Sequence, residues 1–143
     1  MARFKLSILF VVFTLFTACA NPTAPSSTDE VVGKQVSVGE GTYTDISVAE
    51  LQMMLANKDF TFVNVHIPFE GDIARTDLSI PYDQITENLD KLPDKNTKLV
   101  LYCRSGRMSA IAAETLVGAG YSSVWNLSGG MVEWEQAGLE IIR

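Results

Sequence analysis

The segment LVLYCRSGRMSAIAAETL, residues 99–116, constrains this chain more than any other. Four consecutive apolar residues, Leu99 to Tyr102, read as a strand covered on both faces, because a half-buried strand would alternate with polar residues. The run stops at Cys103. Arg104, Ser105, Gly106 and Arg107 follow, and then Ala112, Leu116 and Ala119 fall on one helical face. A buried strand that turns at once into a helix is one unit of a parallel sheet. The spacing predicts a helix over 106–119, punctuated by Gly118 and Gly120.

The same alternation recurs along the chain. Ser47 and Glu50 have capping-box spacing ahead of Leu51, Met54 and Leu55, which mark a helical apolar face. FTFVNV, residues 60–65, is a compact β-rich run and predicts a strand. Residues 66–81 read as a loop. Ile85, Leu89 and Leu92 predict a short helix over 83–92. SVWNL, residues 123–127, predicts a third strand. Ser128, Gly129 and Gly130 then lead into a last helix carrying Val132 and Trp134, which Gly138 ends. The expected fold class is α/β, a parallel sheet with helices on both faces. In such sheets ligands bind beyond the carboxyl ends of the strands, where Cys103 stands.

That position gives the cysteine its chemistry. A loop winding from a buried strand into a helix N-terminus turns unpaired backbone N–H groups inward and forms an anion site. Gly106 lets the backbone close tightly, and Ser105 and Ser109 can cap or donate. Arg104 and Arg107 add cationic donors suited to sulfonate or phosphate oxygens. A cysteine at the base of such a site is stabilised as the thiolate, the nucleophilic form. The alternatives are an inert core cysteine and a solvated pair of surface arginines.

The amino terminus is a separate matter. Arg3 and Lys5 precede an uncharged, nearly all-apolar run, Leu6 to Ala18, of 13 residues. A membrane-spanning helix needs roughly 20, so the run reads as the core of an export signal over residues 1–18, with a short membrane anchor as the alternative. Residues 19–42 read as a tether, with NPTAPSSTDE rich in Pro, Ser and Thr and residues 31–41 ambiguous. The domain is expected over residues 43–143. The 143-residue chain carries a net charge of −6 and an isoelectric point near 4.7. No basic track runs along it, which argues against a nucleic-acid surface. One histidine and one interior cysteine are too few for a metal site, and no glycine-rich nucleotide motif follows a strand. No cofactor is therefore expected.

Two resemblances sharpen these readings. LFTAC, ending at Cys19, resembles a bacterial lipobox, with Phe16 where a leucine usually stands. It implies cleavage before Cys19, lipid on that cysteine, and an exported protein anchored to a membrane and facing the periplasm or cell exterior. Ala20 after Cys19 implies the outer membrane in a Gram-negative cell. Plain secretion and a Cys19–Cys103 bridge are the alternatives. The second resemblance covers residues 43–142. CRSGRMS is similar to the active-site loop of the rhodanese domain, and LVGAGYSSVWNLSGGMVEW resembles the segment that follows it. Gly120, Tyr121, the Gly129–Gly130 pair and Trp134 are its landmarks.

The rhodanese resemblance implies a single-domain sulfurtransferase. Cys103 would attack the outer sulfur of an anionic donor such as thiosulfate, hold it as a persulfide, and pass it to cyanide, a thiol or a protein acceptor. The backbone of Arg104, Ser105, Gly106, Arg107, Met108 and Ser109 would cradle that sulfur, and the two arginines would orient the donor. The amino half departs from the family pattern. Asn64-Val65-His66 stands where Asp-Val-Arg is usual, and Gly71-Asp72-Ile73-Ala74-Arg75-Thr76 where Gly-His-Ile-Pro-Gly-Ala is usual. His66 is read as a strand-end residue satisfied by a backbone partner, or as an accessory acid or base. The rival functions are a non-catalytic lipid-anchored binding or sulfide-sensing module, and a phosphatase or arsenate reductase. Loops of the tyrosine-phosphatase type place five residues between cysteine and arginine, whereas three separate Cys103 from Arg107.

Overall fold

The computed structural model describes residues 31–39 and 41–143. The signal and the lipobox cysteine, Cys19, lie outside them. The central sheet has six strands: β1 (Lys34–Val38), β2 (Gly41–Ile46), β3 (Thr61–Asn64), β5 (Leu78–Ser79), β6 (Leu99–Tyr102) and β7 (Val124–Leu127). Their spatial order is β1-β2-β7-β6-β3-β5. Every pairing is parallel except that of β1 with β2. A separate antiparallel pair joins β4 (Asp72–Ile73) to β8 (Ile141–Ile142).

The continuous apolar run of β6 has the cause expected of it: both faces of the strand are covered. Leu99, Leu101 and Cys103 pack with Val63 of the neighbouring strand, and Val65 just past its end, against Ala112, Ala113 and Leu116 of α2 (Arg107–Gly118). Val100 and Tyr102 pack with Phe62 against the other layer. That layer comprises Leu51 and Met54 of α1 (Val48–Ala56) and Met131 and Trp134 of α3 (Gly130–Gln136). Each fully buried aliphatic side chain contributes roughly 1.5–3 kcal/mol, so strand pairing and packing reinforce one register. The protein is thus α/β with a mostly parallel sheet and helices on both faces.

Local signals account for most element ends. Ser47 caps α1 through the full capping box: its hydroxyl accepts from the Glu50 N–H at 3.3 Å, and the Glu50 carboxylate accepts from the Ser47 N–H at 2.8 Å. Those hydrogen bonds hold the Glu50 carboxyl below its usual range.

Three segments differ from the sequence reading. Lys34–Val38, within the ambiguous stretch, forms an edge strand upstream of Tyr43, because Val36 and Val38 alternate inward along it. The segment read as a helix over 83–92 is a 3-10 helix, Tyr82–Lys91, interrupted at Asn88. Its apolar residues are sparse, and the Asn88 side chain donates back to the Gln84 carbonyl, which competes with regular helical bonding. The 66–81 loop contains the two-residue strands β4 and β5, too short to carry a periodic pattern.

Candidate active site

Cys103 is the first residue past β6. It is 1% exposed and forms no disulfide among the described residues. Parallel pairing of β3 with β6 sets Asn64 beside Tyr102, and the Val65 N–H donates to the Tyr102 carbonyl at 2.8 Å. The chain after β3 therefore leaves the sheet beside the chain after β6, which brings His66 and Glu70 to the same end as Cys103.

The loop from Cys103 to Ser109 is held at its base by the start of α3. Met131 and Val132 donate their N–H groups to the carbonyls of Cys103 and Arg104, each at 2.9 Å. Two glycines allow this approach. Gly106 has φ +86, and a Cβ there would lie 1.8 Å from the Ser128 carbonyl oxygen. Gly130 has φ +57, and its Cβ would lie 2.3 Å from the Cys103 carbonyl oxygen. Any side chain would therefore face both a steric clash and a left-handed backbone. With the carbonyls of Cys103 and Arg104 drawn outward to α3, the loop's N–H groups are left on its other side. Among the described residues, none of the backbone N–H groups from Arg104 to Ser109 finds an acceptor. Six such donors at a helix N-terminus form an anion cradle.

The residues singled out from sequence occupy distinct places in this arrangement. Ser109 is fully buried, with its Oγ 3.4 Å from Cys103 Sγ and 3.1 Å from the Gly106 carbonyl oxygen. Its single hydroxyl proton serves one of them at a time. Ser105 and Arg107 are exposed, and Arg107 has no ion pair among the described residues. The Met108 side chain packs against the α2-side core, so only its backbone belongs to the cradle.

Arg104 is engaged by another side chain. Its guanidinium is paired with the Glu70 carboxylate, and that hydrogen bond holds the Glu70 carboxyl below its usual range. Sequence reading did not single out Glu70. Its only sequence signal is an acidic side chain in the loop beyond a strand's carboxyl end.

His66 is not the backbone-satisfied residue favoured from sequence. Its backbone N–H donates to Asn64 Oδ1 at 3.0 Å, but both ring nitrogens are buried without a hydrogen-bond partner. Nε2 lies 3.6 Å from Glu70 Oε1, beyond hydrogen-bond reach.

Asn64, which stands where the family pattern has an acid, is held by a polar network of its own. Asn64 Nδ2 donates to Asp72 Oδ1 at 2.9 Å and to the Gly71 carbonyl at 2.9 Å. Asp72 Oδ1 also accepts from Tyr102 Oη at 3.1 Å and Ser79 Oγ at 3.3 Å. Tyr102 Oη accepts from the Ile73 N–H at 3.0 Å, and burial raises its hydroxyl pKa, so the phenol stays a donor. No group of three or more His, Cys, Asp or Glu side chains among the described residues is placed to hold a metal.

With the geometry in view, comparison with known proteins gives the class. The sequence model of the rhodanese-like domain family matches residues 53–137. A sulfurtransferase from Allochromatium vinosum is 34% identical over 102 residues, spanning 68% of this chain and 94% of its own. The tRNA uridine(34) hydroxylase of Enterobacter sp. is 26% identical over 102 residues, 66% of this chain, and the match spans only 29% of that enzyme's length. The crystal structure of a rhodanese-like domain protein from Staphylococcus aureus superposes with a TM-score of 0.57. It is 33% identical and the match covers 69% of this chain and 98% of its own. The chain belongs to the rhodanese-like domain family.

Proposed function

We propose that the protein is a sulfurtransferase in which Cys103 carries the sulfur. The observation that supports this best is the run of six backbone N–H groups, Arg104 to Ser109, that find no acceptor among the described residues in the loop that starts at Cys103. With thiosulfate, the Cys103 thiolate bonds to the outer sulfur. The S–S bond of the donor breaks, and sulfite leaves with the bonding electrons. The cradle then holds Cys103–S–S⁻, an anion one atom longer than the thiolate, and its N–H groups donate to that terminal sulfur. Cyanide attacks the terminal sulfur, thiocyanate leaves, and the thiolate is regenerated. A thiol acceptor leaves as a persulfide in the same way. Arg107, which has no ion pair among the described residues, is available to a donor's anionic group.

The test is intact mass after incubation with thiosulfate and removal of excess donor. The wild type gains one sulfur atom and turns over cyanide to thiocyanate, and Cys103→Ser does neither. A wild type that gains no sulfur from thiosulfate or from a persulfide donor, and shows no turnover, would support a binding or sensing module instead. We also propose that Cys19 carries lipid, on the strength of the LFTAC sequence. Cys19→Ser is then left uncleaved or soluble in a cell that anchors the wild type. Unchanged processing and membrane attachment would remove that proposal.

A further inference from the structure

Charge at the mouth of the cradle is less positive than its two arginines suggest. Arg104 is neutralised by Glu70, with side chains 56% and 37% exposed, so that of the loop's two arginines Arg107 alone has no ion pair among the described residues. The other Glu70 oxygen faces His66 Nε2 at 3.6 Å, too far for a hydrogen bond, so the imidazole does not take the carboxylate away from Arg104. We propose that Glu70 is a specificity-determining residue that occupies Arg104 and thereby selects organic persulfides over the thiosulfate dianion as sulfur donors.

The inference rests on the sulfurtransferase reading above and names the donor class of the same site. A thiosulfate dianion must either use Arg107 alone or displace a carboxylate tethered to the loop after β3. It also approaches a like charge. A persulfide brings at most one negative charge to its reacting end, which one arginine and the backbone N–H groups satisfy. In the loading step the Cys103 thiolate bonds to the outer sulfur of R–S–SH. The donor S–S bond breaks, R–S⁻ leaves with the bonding pair, and the proton stays on the transferred sulfur. No oxidant or reductant is consumed.

The experiment compares wild type, Glu70→Gln and the double variant Glu70→Gln/Arg104→Ala, with thiosulfate and with glutathione persulfide as donors. Sulfur gained on Cys103 and steady-state KM and kcat are read for each. The wild type is expected to load faster from the persulfide. Glu70→Gln frees one charge-assisted donor, so KM for thiosulfate falls about tenfold with kcat little changed, and the persulfide reaction moves by less than about twofold. Salt shrinks the thiosulfate gain, and the double variant loses it. An unchanged or higher KM for thiosulfate in Glu70→Gln would overturn the inference, as would a gain that survives removal of Arg104. A reduced melting temperature with both donors equally impaired would assign Glu70 a structural role and overturn it too. If no protein accepts sulfur from either donor, the sulfurtransferase reading itself fails and carries this inference with it.

Discussion

Replacing Ser109 by alanine separates the chemical role of the cradle from its structural one. The Ser109 hydroxyl is fully buried and reaches two acceptors, the Gly106 carbonyl at 3.1 Å and Cys103 Sγ at 3.4 Å. The carbonyl does not depend on it, because the Ala110 N–H also donates there at 3.0 Å. Loss of the hydroxyl thus leaves no orphaned acceptor, and the cost to folding stability is at most about 1 kcal/mol. The sulfur is different. When Cys103 is a thiolate or a persulfide anion, the hydroxyl turns to it, and a hydrogen bond to a charged acceptor contributes about 1.5–3 kcal/mol. Sulfur accepts more weakly than oxygen, which favours the lower end, roughly tenfold in rate. Rapid-quench measurement of sulfur loading on Cys103, beside a thermal melt, reads both quantities. Ser109→Ala is expected to load about tenfold more slowly while melting within a few degrees of the wild type. Loading within about twofold of the wild type would show that the hydroxyl serves only the Gly106 carbonyl.

Three further outcomes follow from the same contacts. Gly106→Ala forces a Cβ to within 1.8 Å of the Ser128 carbonyl oxygen at φ +86. It should cost at least 1–2 kcal/mol for the backbone alone and abolish sulfur loading as the loop moves off α3; chemical denaturation and the loading assay check this, and near-normal loading would refute the clamp. Asn64→Asp removes the two donated bonds and sets a second carboxylate against Asp72 Oδ1, 2.9 Å from the atom it replaces. The introduced carboxyl is raised above its unfolded value of about 3.9, so the variant is destabilised near neutral pH and regains stability as pH falls, the reverse of ordinary acid unfolding in a pH series of melts. Ser47→Ala should cost about 1 kcal/mol; the variant keeps the residue-47 N–H bond to the Glu50 carboxylate but loses the hydroxyl's bond to it at 2.7 Å, so only that part of the cost is present above the carboxyl's unfolded value and fades as pH falls through the folded one, and the two melting curves draw closer in acid without meeting.

The layered fold was legible because its two halves speak in different periods. Leu99–Tyr102 has no polar face and Ala112, Leu116 and Ala119 share one helical face, which together leave few alternatives to a parallel unit with Cys103 at its carboxyl end. Ser47 and Glu50 fixed the start of α1 because capping is local chemistry. What escaped is non-local or short. β4 and β8 have two residues each and are defined only by pairing across most of the domain. Lys34–Val38 alternates but borders a polar segment, and only its partner β2 reveals it as part of the sheet. The arginines illustrate the same limit at the site: adjacency to Cys103 puts Arg104 near the sulfur, but its partner Glu70 lies 34 residues away. Sequence spacing therefore located the nucleophile and its amides without locating the charge that balances them.

The altered amino half shows why the fold tolerates what the site must register. In the usual family pattern an acid ends the strand that is β3 here, and a histidine stands in the following loop; in this chain the strand end carries an amide, Asn64, and the loop carries the acid, Asp72. The amide and the acid meet at 2.9 Å, and Tyr102 and Ser79 supply the further donors that a carboxylate in a partly buried site needs. For packing these residues are satisfied, since the charged oxygen of Asp72 has three donors. The arginine that the family pattern places at position 66 is not replaced in kind. His66 is buried with both ring nitrogens unpartnered, and the carboxylate at Glu70 is left to Arg104. The first pair of positions is therefore bridged by a hydrogen bond, while position 66 offers no guanidinium to compete with Arg104 for Glu70. The sheet is served by the first, but an incoming anion reads the second directly.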